Sequence, residues 1–131
     1  MKPWDKLTDL EKREAIARRL GWEYKSKNFR VNGGDILSSK FWCLLEIPHN
    51  ELPGWPTNDG LAFTEVWPRI AQHGSQFLGL LGGKPSVCEE DHGIRGVISG
   101  TTWADAICRA AYELLPDQAP WCGLLNSASI N

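Results

Sequence analysis

Residues 75–116 read SQFLGLLGGKPSVCEEDHGIRGVISGTTWADAICRAAYELLP, and this stretch decides the fold. Three short apolar runs, Ser75–Leu81, Ser86–Glu89 and Ile94–Ser99, are separated by Gly82-Gly83-Lys84-Pro85 and by Glu90-Asp91-His92-Gly93. Two tight connections in succession predict an antiparallel meander. The last run leads through Gly100-Thr101-Thr102 into Trp103–Leu115, where Trp103, Ala106, Ile107, Ala110 and Leu114 recur at helical spacing. Thr102 and Asp105 have the spacing of a capping box with Asp in place of Glu, and Pro116 ends the helix.

Upstream, residues 59–73 carry an apolar stripe of Leu61, Ala62, Val66, Trp67 and Ile70, which predicts a second helix. Pro68 conflicts with a regular helix there, so the helix either bends or begins late with Pro68 in its first turn. Residues 48–60 hold three prolines and two glycines and read as a long loop. Trp55 in that loop is either a plug on the core or a ligand platform. Residues 36–47, ILSSKFWCLLEI, fit a helix or a buried strand equally. Before them, Trp22/Tyr24 and Phe29/Val31 alternate around Lys25-Ser26-Lys27-Asn28, as in a short hairpin or two irregular strands closed by Asn32-Gly33-Gly34. The first helix is predicted over 8–20. Thr8 and Glu11 form a capping box, Leu10, Glu14, Ala17 and Leu20 share a face, Arg18 and Arg19 suit the C-terminal dipole, and Gly21 stops the chain. The expected fold class is α+β: three helices around a mainly antiparallel sheet in an α/β/α sandwich. It forms one domain over 1–115, with a tail over 116–131 that packs on the body or on a partner subunit.

The 131 residues suffice for one domain with a core of its own. The net charge of −2 gives no global field for nucleic acid, which is an unlikely partner. The charge is uneven. Residues 1–40 hold ten Lys/Arg against six Asp/Glu, and residues 41–131 hold four against ten. The first helix is therefore basic, though Glu11 and Glu14 among its cations suit a solvated mixed face. Cys43, Cys88, Cys108 and Cys122 form no CxxC pair and match no zinc spacing. The charged N-terminus has no apolar leader, and no run is long enough to span a membrane. These features predict a cytoplasmic chain with reduced core cysteines.

Three stretches carry a family likeness: Leu20-Gly21-Trp22, Asn58-Asp59-Gly60-Leu61-Ala62 with Val66-Trp67, and Ala104-Asp105-Ala106-Ile107-Cys108-Arg109-Ala110-Ala111. On these, the chain resembles the phage ABA-sandwich domain family, small proteins of bacteriophages and prophages. The resemblance covers about residues 7–115 and implies an α/β/α sandwich, a phage or prophage origin and a host-cell cytoplasmic setting. It carries no catalytic residues across. Pro68 and the tail depart from the pattern.

The strongest local chemistry is the start of the last helix. Free N–H groups and the dipole there favour an anion. Gly100 allows close approach to the backbone, Thr101 and Thr102 add hydroxyls, and Arg95 precedes them on the third strand. Gly79–Ser86 fails the phosphate-loop pattern, because Leu78 stands where the first glycine belongs and Pro85 replaces Ser/Thr, but Lys84 remains an anion contact. Cys88, Glu89, Glu90, Asp91 and His92 lack a second ligand pair for a metal. Seven tryptophans exceed what a core of this size needs, and Trp4, Trp55 and Trp121 lie in or beside loops. The expected function is non-enzymatic: a phage protein binding a host-derived molecule, with a nucleotide-derived immune signal as ligand. Its phosphates would meet Gly100-Thr101-Thr102, Arg95 and Lys84, and its base would stack on Trp55. No cofactor or metal is implied. One alternative is a protein-interaction module that docks a host protein, or a second copy of itself, on the basic helix (Lys12, Arg13, Arg18, Arg19) or the tail. Another is a small hydrolase using His92 with Glu89 or Glu90.

Overall fold

Thr8 and Glu11 close around the first helix as their spacing predicts. The Thr8 hydroxyl accepts from the Glu11 N–H at 3.1 Å, and the Glu11 carboxylate accepts from the Thr8 N–H at 2.9 Å. The helix, α1 (Asp9–Arg19), ends ahead of Gly21, whose φ of 90° suits a residue without a Cβ. The chain is seen in a computed structural model that describes residues 2–30, 34, 36–44, 47–49, 51–72, 76–89 and 96–117. The buried face of α1 matches the periodicity only in part: Ala17 is buried as expected, with Ile16 beside it, but Leu10 is 61% exposed and Arg19 is buried.

Residues 23–44 correct the reading of a short hairpin. β1 (Glu23–Arg30) is one continuous strand paired antiparallel with β2 (Ile36–Leu44), from Glu23 opposite Cys43 to Arg30 opposite Ile36. Lys25–Asn28 therefore lie inside a strand, because the long β2 supplies a ladder partner at each position. The ambiguous segment is that strand. β3 (Ile47–His49) adds to β2, so the expected loop begins with strand residues and also contains a 3-10 turn, Trp55–Thr57.

Pro68 takes the second of the two ways open to it, in the first turn of a helical segment. The central helix runs as α2 (Asp59–Leu61), a π-helical stretch (Ala62–Val66) and α3 (Trp67–Ala71). The Trp67 N–H reaches back to the Ala62 carbonyl, and Pro68, which has no N–H to donate, falls in the first turn of α3.

The meander forms β4 (Gln76–Leu81), β5 (Lys84–Glu89) and a two-residue β6 (Ile98–Ser99), with β5 central. Gly82 and Gly83, at φ 60° and 79°, make the two-residue connection, since both positions need positive φ. The strands thus divide into two three-stranded antiparallel sheets, and the class is α+β with the element order the sequence predicts.

α4 (Trp103–Leu114) holds these parts together. It packs against α1, the central helix, β5 and β6. Its buried Ala104, Ile107, Cys108, Ala110, Ala111 and Tyr112 join Ile16 and Ala17 of α1, Val66, Ile70 and Val87 in one hydrophobic cluster, to which Trp4, Trp22, Trp42 and Trp55 add. Each large apolar side chain buried this way contributes about 1.5–3 kcal/mol. Among the described residues, no helix is long and apolar enough to cross a membrane. The tail from residue 118, with Trp121 and Cys122, lies outside the described residues.

Candidate functional site

The start of α4 is more fully occupied than the sequence suggests. The Thr102 hydroxyl accepts from the Asp105 N–H at 3.0 Å. One Asp105 oxygen accepts from the Thr101 N–H and the other from the Trp4 indole N–H, each at 3.0 Å. Asp59, at the start of α2, accepts from the Ala104 N–H at 2.9 Å. Two carboxylates of the chain itself thus meet the N–H groups and the dipole that an external anion would seek. Gly100 is buried, and its N–H donates to the Pro85 carbonyl at 3.0 Å. A Cβ there would lie 2.8 Å from Ala106 Cα and close on the Ala106 nitrogen. The missing side chain lets the loop lie on α4 and leaves no approach for a ligand.

Of the other site residues expected from sequence, Lys84 is exposed at the first position of β5, beside the Pro85 that holds Gly100. Arg95 lies outside the described residues, as do Glu90, Asp91 and His92. Trp55 is the plug and not the platform. It is 0% exposed, its indole N–H donates to Glu65 at 2.9 Å, and it meets Trp22 edge-on at 5.6 Å. Trp4 is likewise buried. The fold therefore brings Gly100, Thr101, Thr102 and the Lys84–Pro85 end of β5 together, and it withdraws Trp55 into the core.

A cleft of about 310 Å³ opens beside them, between the first turns of α1 and α4. It is lined by Asp9 and Lys12 of α1, by Pro56 and Thr57, and by Thr101, Thr102 and Asp105 at the start of α4. Asp9 is 3.0 Å from Arg13, and Asp105 is engaged as above, so both carboxylates have partners. The Lys12 ammonium stands 5.1 Å from the Trp4 ring centre and makes no ion pair among the described residues. Three threonines line the same space: the Thr57 hydroxyl donates to the Gly54 carbonyl at 3.4 Å, the Thr101 hydroxyl donates to Asp105 at 3.5 Å, and the Thr102 hydroxyl accepts from the Asp105 N–H. Sequence reasoning counted Lys12 only as part of a basic face and passed over Thr57. No local spacing links them, because the cleft is assembled from three separated segments.

The rest of the basic face is spent inside the molecule. Arg13 donates to the Leu52 carbonyl at 3.2 Å, and Arg18 pairs with Asp117 at 3.0 Å. Arg19 donates to the carbonyls of Tyr112 and Ala15 at 3.1 and 3.0 Å and stacks on the Tyr112 ring. Burial pulls the Arg19 pKa down. A second hollow of about 290 Å³ between α1 and the end of α4 is lined by Glu11, Glu14, Arg18, Arg19, Tyr112 and Asp117, of which Arg18 and Asp117 pair with each other. Cys43, Cys88 and Cys108 are buried, and burial pushes the Cys108 thiol far up, out of the range of a nucleophile. Among the described residues, no three metal-capable side chains gather.

No family model matches the chain, and no solved structure does. Among curated proteins, 25 residues are 56% identical to the "Uncharacterized ORF2 protein" of Torque teno tupaia virus (isolate Tbc-TTV14). That stretch is 19% of this chain and 42% of the viral protein, so the match spans less than half of that relative's length.

Proposed function

We propose that this chain is a non-enzymatic binding protein that takes a small anionic, nucleotide-like molecule in the cleft between α1 and α4. One observation carries the reading: Lys12 lines the cleft without an ion-pair partner among the described residues, in company with Thr57, Thr101 and Thr102. An ammonium beside the Thr102 hydroxyl, which accepts from the Asp105 N–H and keeps its own proton to donate, suits phosphate or carboxylate oxygens, and the volume is at the small end of ligand pockets. The filled N-terminus of α4 moves the contact from backbone N–H groups to side chains. Lys84 and Arg95 remain cations for an extended ligand. The finer version, sequestration of a host-made nucleotide signal by a phage protein, takes only its phage origin from the resemblance to the phage ABA-sandwich domain family.

The test is thermal unfolding of the parent chain and of Lys12→Ala against cyclic dinucleotides, cyclic oligonucleotides, ADP-ribose and inorganic phosphate. A nucleotide at about 100 times its Kd stabilises the parent by roughly 2.7 kcal/mol. The expected result is a shift that Lys12→Ala loses at the same concentration, with the added nucleotide recovered intact by chromatography. Recovery of a cleaved product overturns the non-enzymatic reading. A shift of equal size in Lys12→Ala overturns the placement in the cleft, and no shift across the panel overturns the ligand class.

A further inference from the structure

Among the described residues, β4 is an edge strand without the usual protection of edges. Among the described residues it pairs only with β5. Exposed edges are commonly blunted by charge, proline, a bulge or short length. Gln76–Leu81 spans six residues without a charge or a proline, and its pairing with β5 is unbroken from Gln76 opposite Glu89 to Leu81 opposite Lys84. Its side chains also remain uncovered: Phe77 is 48% exposed, Leu80 64% and Leu81 40%.

We infer that β4 pairs antiparallel with the β4 of a second copy of this chain, about a twofold axis through Gly79. Symmetry selects this register. A twofold axis normal to a sheet keeps each face on its own side, so facing residues must be an even number of positions apart. Only registers centred on a residue are then allowed. A centre at Leu78 would set Phe77 against the partner's Gly79 and Leu80 against the partner's Gln76. A centre at Gly79 gives equal overlap and sets Phe77 against the partner's Leu81 and Leu80 against the partner's Leu78, so each exposed apolar side chain meets an apolar one. Such cross-strand aromatic–aliphatic pairs stabilise a sheet. Gly79, at the axis, lets the two strands approach with no side chain between them, and Phe77 already leans over it, 3.9 Å from where a Cβ would stand.

Two further points favour a second copy over an unrelated partner. The strand carries no charge, so an identical strand brings no repulsion despite the acidity of this part of the chain. The surface is also self-matching under the twofold, as an isologous contact must be. Its size sets the strength. Three exposed side chains fall well short of the ~800 Å² per partner of a standard interface, so the dimer forms and dissociates with concentration. The inference is independent of the ligand cleft.

Sedimentation velocity of the parent chain from roughly 10 μM to 1 mM reads this directly. A rise from monomer to dimer across the range is expected, and a monomer throughout overturns the inference. Phe77→Lys and Leu81→Glu, each at an exposed position and each checked for the parent's unfolding temperature, are expected to stay monomeric at the highest concentration. The double variant recovers the dimer, because each introduced lysine then faces the partner's introduced glutamate. Failure of the double variant to recover it overturns the register. Leu80→Lys provides a further charged variant at the most exposed position. A dimer that survives both Phe77→Lys and Leu80→Lys shows that the contact lies elsewhere.

Discussion

α1 and α4 begin with the same device and use it differently. Each has a threonine N-cap with an acidic residue three positions on. At α1 the box is closed by Thr8 and Glu11 alone, on the surface, with Lys2 3.2 Å from Glu11. At α4 the acid turns elsewhere. Asp105 binds the Thr101 N–H and the Trp4 indole, 101 positions away, and Asp59, 45 positions away, takes the Ala104 N–H. The first cap is a local stop signal. The second joins the N-terminal segment, the central helix and the β6–α4 loop. A capping motif read from sequence shows where a helix starts, but not how much of the fold depends on that start.

The sharpest way to break the symmetry between the two caps is Gly100→Ala. The added carbon meets the backbone of Ala106 within 2.8 Å of its Cα, and backbone in the first turn of a buried helix cannot move aside cheaply. Overpacking of this kind costs about 1–3 kcal/mol or more, so this variant should lose the most stability in chemical denaturation. Asp59→Ala comes next. It strands the part-buried Ala104 N–H, at about 1–3 kcal/mol, and Asp59→Asn should recover part of the loss because an amide oxygen still accepts. Equal, negligible losses for Asp59→Ala and for a surface substitution on α1 would remove the claim that α4's start is a junction.

The caps themselves give smaller effects. Thr102→Ala and Thr8→Ala each remove one cap bond, at about 0.5–2 kcal/mol. Thr102→Ala is expected to cost more, because α4 packs against α1, the central helix, β5 and β6, whereas α1 presents an exposed first turn. Thermal unfolding of the two variants side by side measures the difference, and a larger loss for Thr8→Ala would reverse the ranking.

Much of this was legible in the sequence, for identifiable reasons. The boxes at Thr8 and Thr102, the Gly82-Gly83 turn and the α4 stripe are local signals that tertiary contacts reinforced. Three features were hidden. The polar middle of β1, Lys25-Ser26-Lys27-Asn28, reads as a turn, because what makes it a strand is the ladder to β2, which no local pattern encodes. The buried face of α1 was read only in part, because Arg19 is buried with hydrogen bonds to the Tyr112 and Ala15 carbonyls, whereas periodicity counts it as a solvated charge. The start of α4 looked open to an anion, because Asp59 is remote in sequence from the helix it caps. The cleft with Lys12 was invisible for the same reason.

The smallest expected effect contrasts two glutamates of α1 three positions apart. Glu11 is held below the ordinary 4.5, chiefly by the Thr8 N–H and then by Lys2, whereas burial pushes Glu14 above it against a hydrogen bond from Trp42. The two signs are opposite. The folded chain binds the Glu11 proton less tightly than the unfolded chain does, so its contribution is complete above pH 4.5 and is lost as pH falls through the lower folded pKa. The folded chain binds the Glu14 proton more tightly, so its ionisation costs stability. That cost is absent in acid and complete once pH has risen through the raised folded pKa. Glu11→Gln should therefore lower the unfolding temperature at neutral pH and become neutral in acid. Glu14→Gln should raise it at neutral pH, and that gain should likewise fade in acid. Both shifts are modest, because both side chains keep contact with water. Unfolding temperatures followed from about pH 3 to 8 separate the two, and a Glu14→Gln variant less stable than the parent at neutral pH would mean that the Trp42 hydrogen bond outweighs the cost of burying the charge.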